Sequence, residues 1–437
     1  MSARSVLICL LLLGSPVSML AGQRVDGAPN VVTDWAAIVQ PAIHNPGAPR
    51  SGGTAQVLHT IVMLAVYDAT VAIEGGYKPY AAEIAAPRGA DVRAAVATAA
   101  YLTARARVAT SQYPYLDEQY AAYLALIPDR RAKTDGIRVG EQASTAVLAR
   151  RENDGFDAVV PYSCSMTPPP VGEFEPDTGC PTSPTSPQPA DAKVGQIRPF
   201  TFSEPGRFRP EGPYALSSEA YAAEFAETRD YGRADSQVRT PKQTDVAYFW
   251  TEHPYVFWNR NLIGMAVRAR LNVRESARFF ALVHTTASDA VIAGFDAKYF
   301  FTAWRPRTAI PRADEDGNPD TAGDPSWTPL LRVNHPEYPS GHGFWSTAVT
   351  EAVASFFGTR RLWVTLEAVA AQLVQTTRTY HGVDAIMREV EDARVWGGLH
   401  WRQAIRDGAT IGRAVARHVE RHYFQRCHGV PGRGVCR

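Results

Sequence analysis

The chain has 437 residues, 45% of them hydrophobic, which is ample to bury a large core in one or two domains. Its 45 basic and 44 acidic side chains leave a formal net charge of +1, so no global field exists to hold nucleic acid or an acidic membrane. Any basic site has to be local.

Residues 1–22, MSARSVLICLLLLGSPVSMLAG, carry Arg4, an apolar run from Val6 to Leu13 and small residues at Ala21 and Gly22. That is the pattern of a secretory signal peptide, and it predicts a secreted or periplasmic protein. No later segment reads as long and uncharged enough to span a membrane. With Cys9 removed, four cysteines remain in two local pairs, Cys164 with Cys180 and Cys427 with Cys436. Disulfides in an oxidising compartment fit that arithmetic, whereas neither pair has the spacing of a zinc site.

Residues 23–160 read as an N-terminal helical half. TAQVLHTIVMLAVYDATVAI, DVRAAVATAAYLTARARVAT and GIRVGEQASTAVLARRENDGF repeat apolar residues at three- and four-residue spacing and end in turn signals. Residues 161–240 change character, dense in proline with Ser, Thr and Gly, and read as a loop insertion, either a lid or a surface excursion. Residues 241–437 return to helical patterning in DVAYFWTEHPYVFWNRNLIGMAVRARL, in SARFFALVHTTASDAVIAGFDAKYFFTAW, in the stretch after His342 and in RDGATIGRAVARHVERHYF. Strand-like alternation is scarce, so the expected fold is all-α, a bundle-like single domain with an insertion near its middle.

Three segments of the last part carry groups that apolar packing does not explain. In KYFFTAWRP, Lys298 and Arg305 are seven residues apart, about two helical turns, which would put both cations on one face. In PSGH, Ser340, Gly341 and His342 stand at the mouth of a predicted helix, where unpaired N–H groups and the helix dipole favour an anion. In ARVWGGLHW, Arg394 precedes His400 by six residues, and Gly397 with Gly398 can bend the chain so that both side chains meet. Three cations, a hydroxyl, helix-start amides and two histidines make a cage for a tetrahedral oxyanion such as phosphate or vanadate. Trp304, Trp345, Trp396 and Trp401 flank the motifs as core or cavity wall. Asp289 and Asp296 read either as acids supporting the site or as helix-surface charges.

In order and spacing, these residues resemble the three-part signature of the vanadium-dependent haloperoxidase and type 2 phosphatidic acid phosphatase superfamily, over about a hundred residues of the C-terminal half. The leader and the alanine-rich N-terminal helices are similar to those of bacterial haloperoxidase-like members. The resemblance implies helical bundles of that type, and vanadate as cofactor, with phosphate able to occupy the same site. It implies hydrogen peroxide, a halide and an organic acceptor as partners, and no nucleic acid. Lys298, Arg305, Ser340, Gly341 and Arg394 would hold the equatorial oxygens, His400 would be the apical metal ligand, His342 the acid–base group, and Lys298 would polarise bound peroxide. His335 falls where chlorinating members have Phe and brominating members His, so it marks a halide site and bromide is the expected substrate. In the phosphatase branch, His400 would instead be the nucleophile forming a phosphohistidine, with His342 protonating the leaving group.

Two positions depart from the family pattern. Ala393 and Ala404 replace the usual Ser and Asp of the third motif, so the carboxylate that orients the apical histidine is missing from its place. Asp407, Glu252, Asp289 or a backbone carbonyl are the candidates for that task. The leading reading is an exported vanadate-dependent haloperoxidase producing hypohalous acid. The alternative is a soluble, metal-independent acid phosphatase using the same cage, and a third is a catalytically silent oxyanion-binding protein.

Overall fold

A computed structural model describes residues 30–45, 50–183 and 185–427. The expected signal peptide and Cys436, and with Cys436 the second expected disulfide, lie outside these residues. Cys164 and Cys180 are joined as expected. Among the described residues the chain forms 13 α-helices and one two-stranded sheet, in agreement with the all-α expectation.

The organising element is the helix Val273–Phe301. It starts at a reciprocal cap in which Asn272 accepts from the Glu275 amide and Glu275 reaches back to the Asn272 amide, satisfying two helix-start donors. Nearly every residue from Ser276 to Lys298 is buried. It packs on Gly52–Glu74 on one side and Gly341–Phe357 on the other, and the last of these packs on Arg402–His422. One hydrophobic core runs from Trp35 and Leu58 through Phe279 and Val291 to Phe344 and Ile411. The expected N-terminal and C-terminal halves therefore share their interior.

Gly52–Glu74 corrects one expectation, because its length and mean hydropathy of 1.5 are sufficient to cross a membrane. Gln56, His59 and Asp68 interrupt its apolar run in sequence, and in the fold they are buried with it. Neighbouring helices cover the segment, 89% of whose most apolar window is buried.

The proline-rich insertion is fastened down. Asp289 accepts from the Phe200 amide at 2.6 Å and the Thr201 amide at 3.1 Å, Asp296 pairs with Arg209 at 2.8 Å, and the Tyr299 hydroxyl donates to the Ala190 carbonyl at 2.6 Å. Within the segment expected to be loop, Glu219–Gly232 is a helix, capped by Ser218 and burying Tyr221 and Phe225. The alanine- and glutamate-rich composition of that stretch is a helix signal that the surrounding prolines obscured. The hairpin Trp363–Glu367 with Thr377–His381 likewise alternates buried and exposed residues, Val364 and Leu366 facing the core.

Two backbone approaches position the site. A Cβ at Gly408 would lie 2.7 Å from the Ser340 carbonyl, so only glycine lets the last helix approach the start of Gly341–Phe357 this closely. Gly398 has φ +70°, and a Cβ there would fall 2.4 Å from the Gly232 carbonyl. We predict that Gly398→Ala destabilises the protein by ~3 kcal/mol or more, combining left-handed strain with a backbone clash. Gly89→Ala, also at positive φ (+81°) but with nothing nearby, should cost only ~1 kcal/mol. Denaturant unfolding of the two variants checks the difference.

Candidate active site

The first motif does not sit on one helical face. The helix Val273–Phe301 ends because Thr302 adopts a left-handed conformation, φ 46°, its N–H returning to the Lys298 carbonyl. Arg305 follows in extended backbone ahead of the short helix Pro306–Ala309. Lys298 and Arg305 nevertheless meet, because both reach the same turn of chain. Lys298 Nζ donates to the carbonyls of Pro336 (2.9 Å) and Glu337 (3.0 Å). Arg305 donates through Nε to the His335 carbonyl (2.5 Å), through Nη1 to the Leu399 carbonyl (2.8 Å), and through Nη2 to His335 Nδ1 (3.0 Å) and the Pro336 carbonyl (3.2 Å). The two cations thus knit residues 335–337 to the bend before His400, and each keeps one N–H bond over.

The second motif opens a helix as expected, Gly341–Phe357, with Ser340 in extended conformation before it. Ser340 is not an ordinary cap: its hydroxyl makes no hydrogen bond to the helix. That hydroxyl is wholly buried and, among the described residues, has no partner. Helix geometry leaves the amides of the first turn unpaired inside the helix. In the third motif, Val383–Trp396 stops at Gly397 and Gly398, and Arg402–His422 begins after a turn, so the expected bend is present. Arg394 donates through Nη1 to the Trp250 carbonyl (2.8 Å), while its buried Nε has no partner among the described residues.

His342, His335, His400, Arg394 and Gly341 all line one cavity of about 320 Å³, together with Phe295, Trp345 and Asp191 of the insertion. Trp304 and Trp401 lie in a separate wall, and Trp396 packs half-buried against the core.

None of the expected acids orients His400. Asp407 accepts the Tyr338 hydroxyl (2.6 Å), Glu252 pairs with Arg260, and Asp289 holds the insertion. The acid is Glu337, whose Oε1 lies 2.8 Å from His400 Nδ1. The same oxygen accepts the Trp401 amide (3.2 Å), so it serves as acceptor and Nδ1 carries the proton. His400 Nε2 is thereby left with its lone pair. Ala404 is fully buried beside Ala303 and Tyr338, and its carbonyl accepts the Ser340 amide, so this position fixes backbone rather than a histidine. The acids that the sequence offers for this task lie beyond His400 or on other helices, whereas Glu337 stands three residues before Ser340. An acid between two prolines in a buried stretch was the available signal.

Electrostatics leave the site short of negative charge. Lys298, Arg305 and Arg394 are at most 3% exposed. Burial pushes Arg305 and Arg394 down to about 9, still charged at neutral pH, and burial with the neighbouring Arg305 pushes Lys298 well down. His400 and His335 are held well below the usual histidine range by burial and these cations. His342 is lowered by burial and Arg394, with the Trp250 carbonyl acting the other way. Burial raises Glu337 to about 8 against the pull of Arg305 and Lys298. A bound oxyanion fits this donor set: it would relieve the mutual repulsion of the cations and meet the orphaned Ser340 hydroxyl and Arg394 Nε.

In this mainly helical fold Arg394, His335, His342 and His400 border one cavity, while Lys298, Arg305 and Ser340 are buried and are not among its lining residues. Residues 278–429 match the family described as the VCPO second helical-bundle domain. A stretch of 153 residues is 30% identical to the vanadium chloroperoxidase of Curvularia inaequalis, covering 29% of this chain and 24% of that protein, so the match spans about a quarter of the relative. Over nearly the whole chain the fold is similar to the first bacterial vanadium-dependent iodoperoxidase, with TM-score 0.72, 19% identity and coverage of 90% of this chain and 96% of that one. It is also similar to a holo-type bacterial vanadium-dependent chloroperoxidase, with TM-score 0.69, 18% identity and coverage of 92% and 96%. Residues 278–429 thus carry the helical-bundle domain of that family, and the chain as a whole has the fold of these bacterial vanadium-dependent haloperoxidases.

If Glu337 orients His400, Glu337→Leu should lower orthovanadate affinity ~10- to 100-fold, the usual effect of removing a partner that orients a ligand. Asp407→Asn should leave it within about twofold, since Asp407 serves Tyr338. Equilibrium dialysis with orthovanadate compares the two, and equal losses would remove Glu337 from this role.

Proposed function

We propose that this protein is an exported vanadate-dependent haloperoxidase that uses hydrogen peroxide to oxidise halide, bromide in preference, to hypohalous acid. The observation that carries the reading is the buried Ser340 hydroxyl at a helix start, which has no partner among the described residues, in a fold that also buries Lys298, Arg305 and Arg394. Lys298, Arg305, Arg394, Ser340 and the Gly341 amide would hold the oxygens of vanadate, and His400 Nε2 would be its protein ligand. When bound, vanadate supplies a Lewis-acid centre that activates peroxide.

The chain's own groups do the rest. Glu337 fixes the tautomer of His400 and keeps Nε2 available. His342, neutral beside Arg394, is placed to take a proton from an incoming acid and return it to a leaving oxygen. The remaining N–H bond of Lys298 would donate to an oxygen of the bound anion. Phe295 and Trp345 give the cavity part of its apolar lining. The Cys164–Cys180 disulfide supports an oxidising compartment, and so supports export. An organic acceptor would then be halogenated by the released hypohalous acid.

His335 takes a different part from a protonated halide clamp. Its Nδ1 accepts from Arg305 Nη2, and its pKa is held down by burial, Lys298 and Arg305, so the ring offers the cavity a neutral Nε2–H. A neutral donor suits bromide, which is easier to oxidise than chloride, without the dry apolar wall that a phenyl ring would give.

Two measurements test the proposal. Protein stripped of anions should oxidise bromide with peroxide only after vanadate is restored, and should show negligible phosphate-ester hydrolysis. Ester hydrolysis without vanadate, and no halogenation with it, would assign the phosphatase activity instead. His335→Phe should raise chloride oxidation relative to bromide. An unchanged ratio across pH would place His335 outside halide selection.

A further inference from the structure

We propose that a second cavity, across Glu337 from the oxyanion site, binds a small organic cation, an alkyl- or arylammonium. This cavity has a volume of about 410 Å³ and shares no lining residue with the first. It goes beyond the haloperoxidase reading and does not rest on it.

The argument is charge and shape. Glu173, Glu224 and Glu337 border the cavity, and no lysine, arginine or histidine does. Their hydrogen bonds go elsewhere than to fixed cations. Glu173 accepts from the Ser165 amide (3.1 Å) and hydroxyl, Glu224 from the Gln403 amide (2.9 Å), and Glu337 from His400 and the Trp401 amide. Among the described residues, none of the three carboxylates has a lysine or arginine within ion-pairing distance. The rest of the wall includes six aromatic residues. Trp304, Trp401 and Tyr221 are buried at 2%, 7% and 4% exposure, and Tyr214, 39% exposed, stands at the outer edge.

Aromatic faces carry negative quadrupole potential, and the Glu173 and Glu224 carboxylates, which make no ion pair among the described residues, add to it, so the cavity attracts a positive charge attached to an apolar body. An anion would meet only repulsion. A neutral apolar ligand would bury the Glu224 carboxylate without a counter-charge, which is costly. A hard metal ion is also disfavoured, because it needs several converging oxygens, and the described residues contain no metal-holding cluster of histidine, cysteine and carboxylate side chains. An ammonium head beside Glu224 with its apolar part against Trp304, Trp401 and Leu216 satisfies both halves of the wall.

Isothermal titration calorimetry of the full chain, stripped of anions, tests this with choline and benzyltrimethylammonium as cations and 3,3-dimethylbutan-1-ol as the neutral counterpart of choline. We expect saturable binding of the cations, with the alcohol weaker by ~10-fold or more. Glu224→Gln keeps the acceptor for the Gln403 amide and should weaken the cations about tenfold or more. Leu216→Trp should block the cavity, and saturating vanadate should not displace the cations. Equal binding of choline and the alcohol, wild-type affinity in Glu224→Gln, displacement by vanadate, or no saturable binding of either cation would overturn the proposal.

Discussion

Lys298, Arg305 and Arg394 are buried together, and three like charges in one place are costly unless something negative joins them. The protein supplies part of the answer through carbonyl dipoles: those of residues 335–337, Leu399 and Trp250 point at the three side chains. Among the described residues Glu337 is the carboxylate that lies nearest this cluster, and burial weakens its charge. The remaining deficit is what an oxyanion would fill. Seen this way, the site is a destabilised arrangement held by the surrounding fold and completed by its ligand.

The scaffold is built to hold that arrangement. The helix Val273–Phe301 lies in the middle of the core and delivers Lys298 from its last turn. Gly341–Phe357 is pinned by its close approach to Arg402–His422 at Gly408, which fixes Ser340, and the Ser340 amide is tied to the Ala404 carbonyl. The insertion closes one side of the cavity through Ala190 and Asp191, and Asp289, Asp296 and Tyr299 of the central helix hold it there. Acids that resembled catalytic auxiliaries in the sequence thus act as fasteners for the cavity wall.

Much of this was legible from the residues. Helical periodicity gave the fold class, the glycine pair before His400 gave the bend, and the residues of the second motif gave the helix that opens at Gly341. What could not be read was tertiary in origin. Seven-residue spacing suggested one face for Lys298 and Arg305, but a left-handed Thr302 broke the helix between them, and they converge through shared carbonyls instead. The orienting acid moved from the third motif to the loop before the second, a swap visible only when Glu337 and His400 are brought together across 63 residues of chain. Periodicity also missed Glu219–Gly232, where nearby prolines masked a short amphipathic segment that buries only Tyr221 and Phe225 among its large apolar residues.

The central claim is that Glu337 holds His400 so that Nε2 receives the metal of a bound vanadate. The most direct measurement is a crystal structure of the vanadate-loaded protein with anomalous data at the vanadium edge. The account predicts an anomalous peak within bonding distance of His400 Nε2, with Nδ1 still bonded to Glu337 and Ser340 Oγ on an equatorial oxygen. A peak against another residue, or a His400 ring turned away from Glu337, would contradict it.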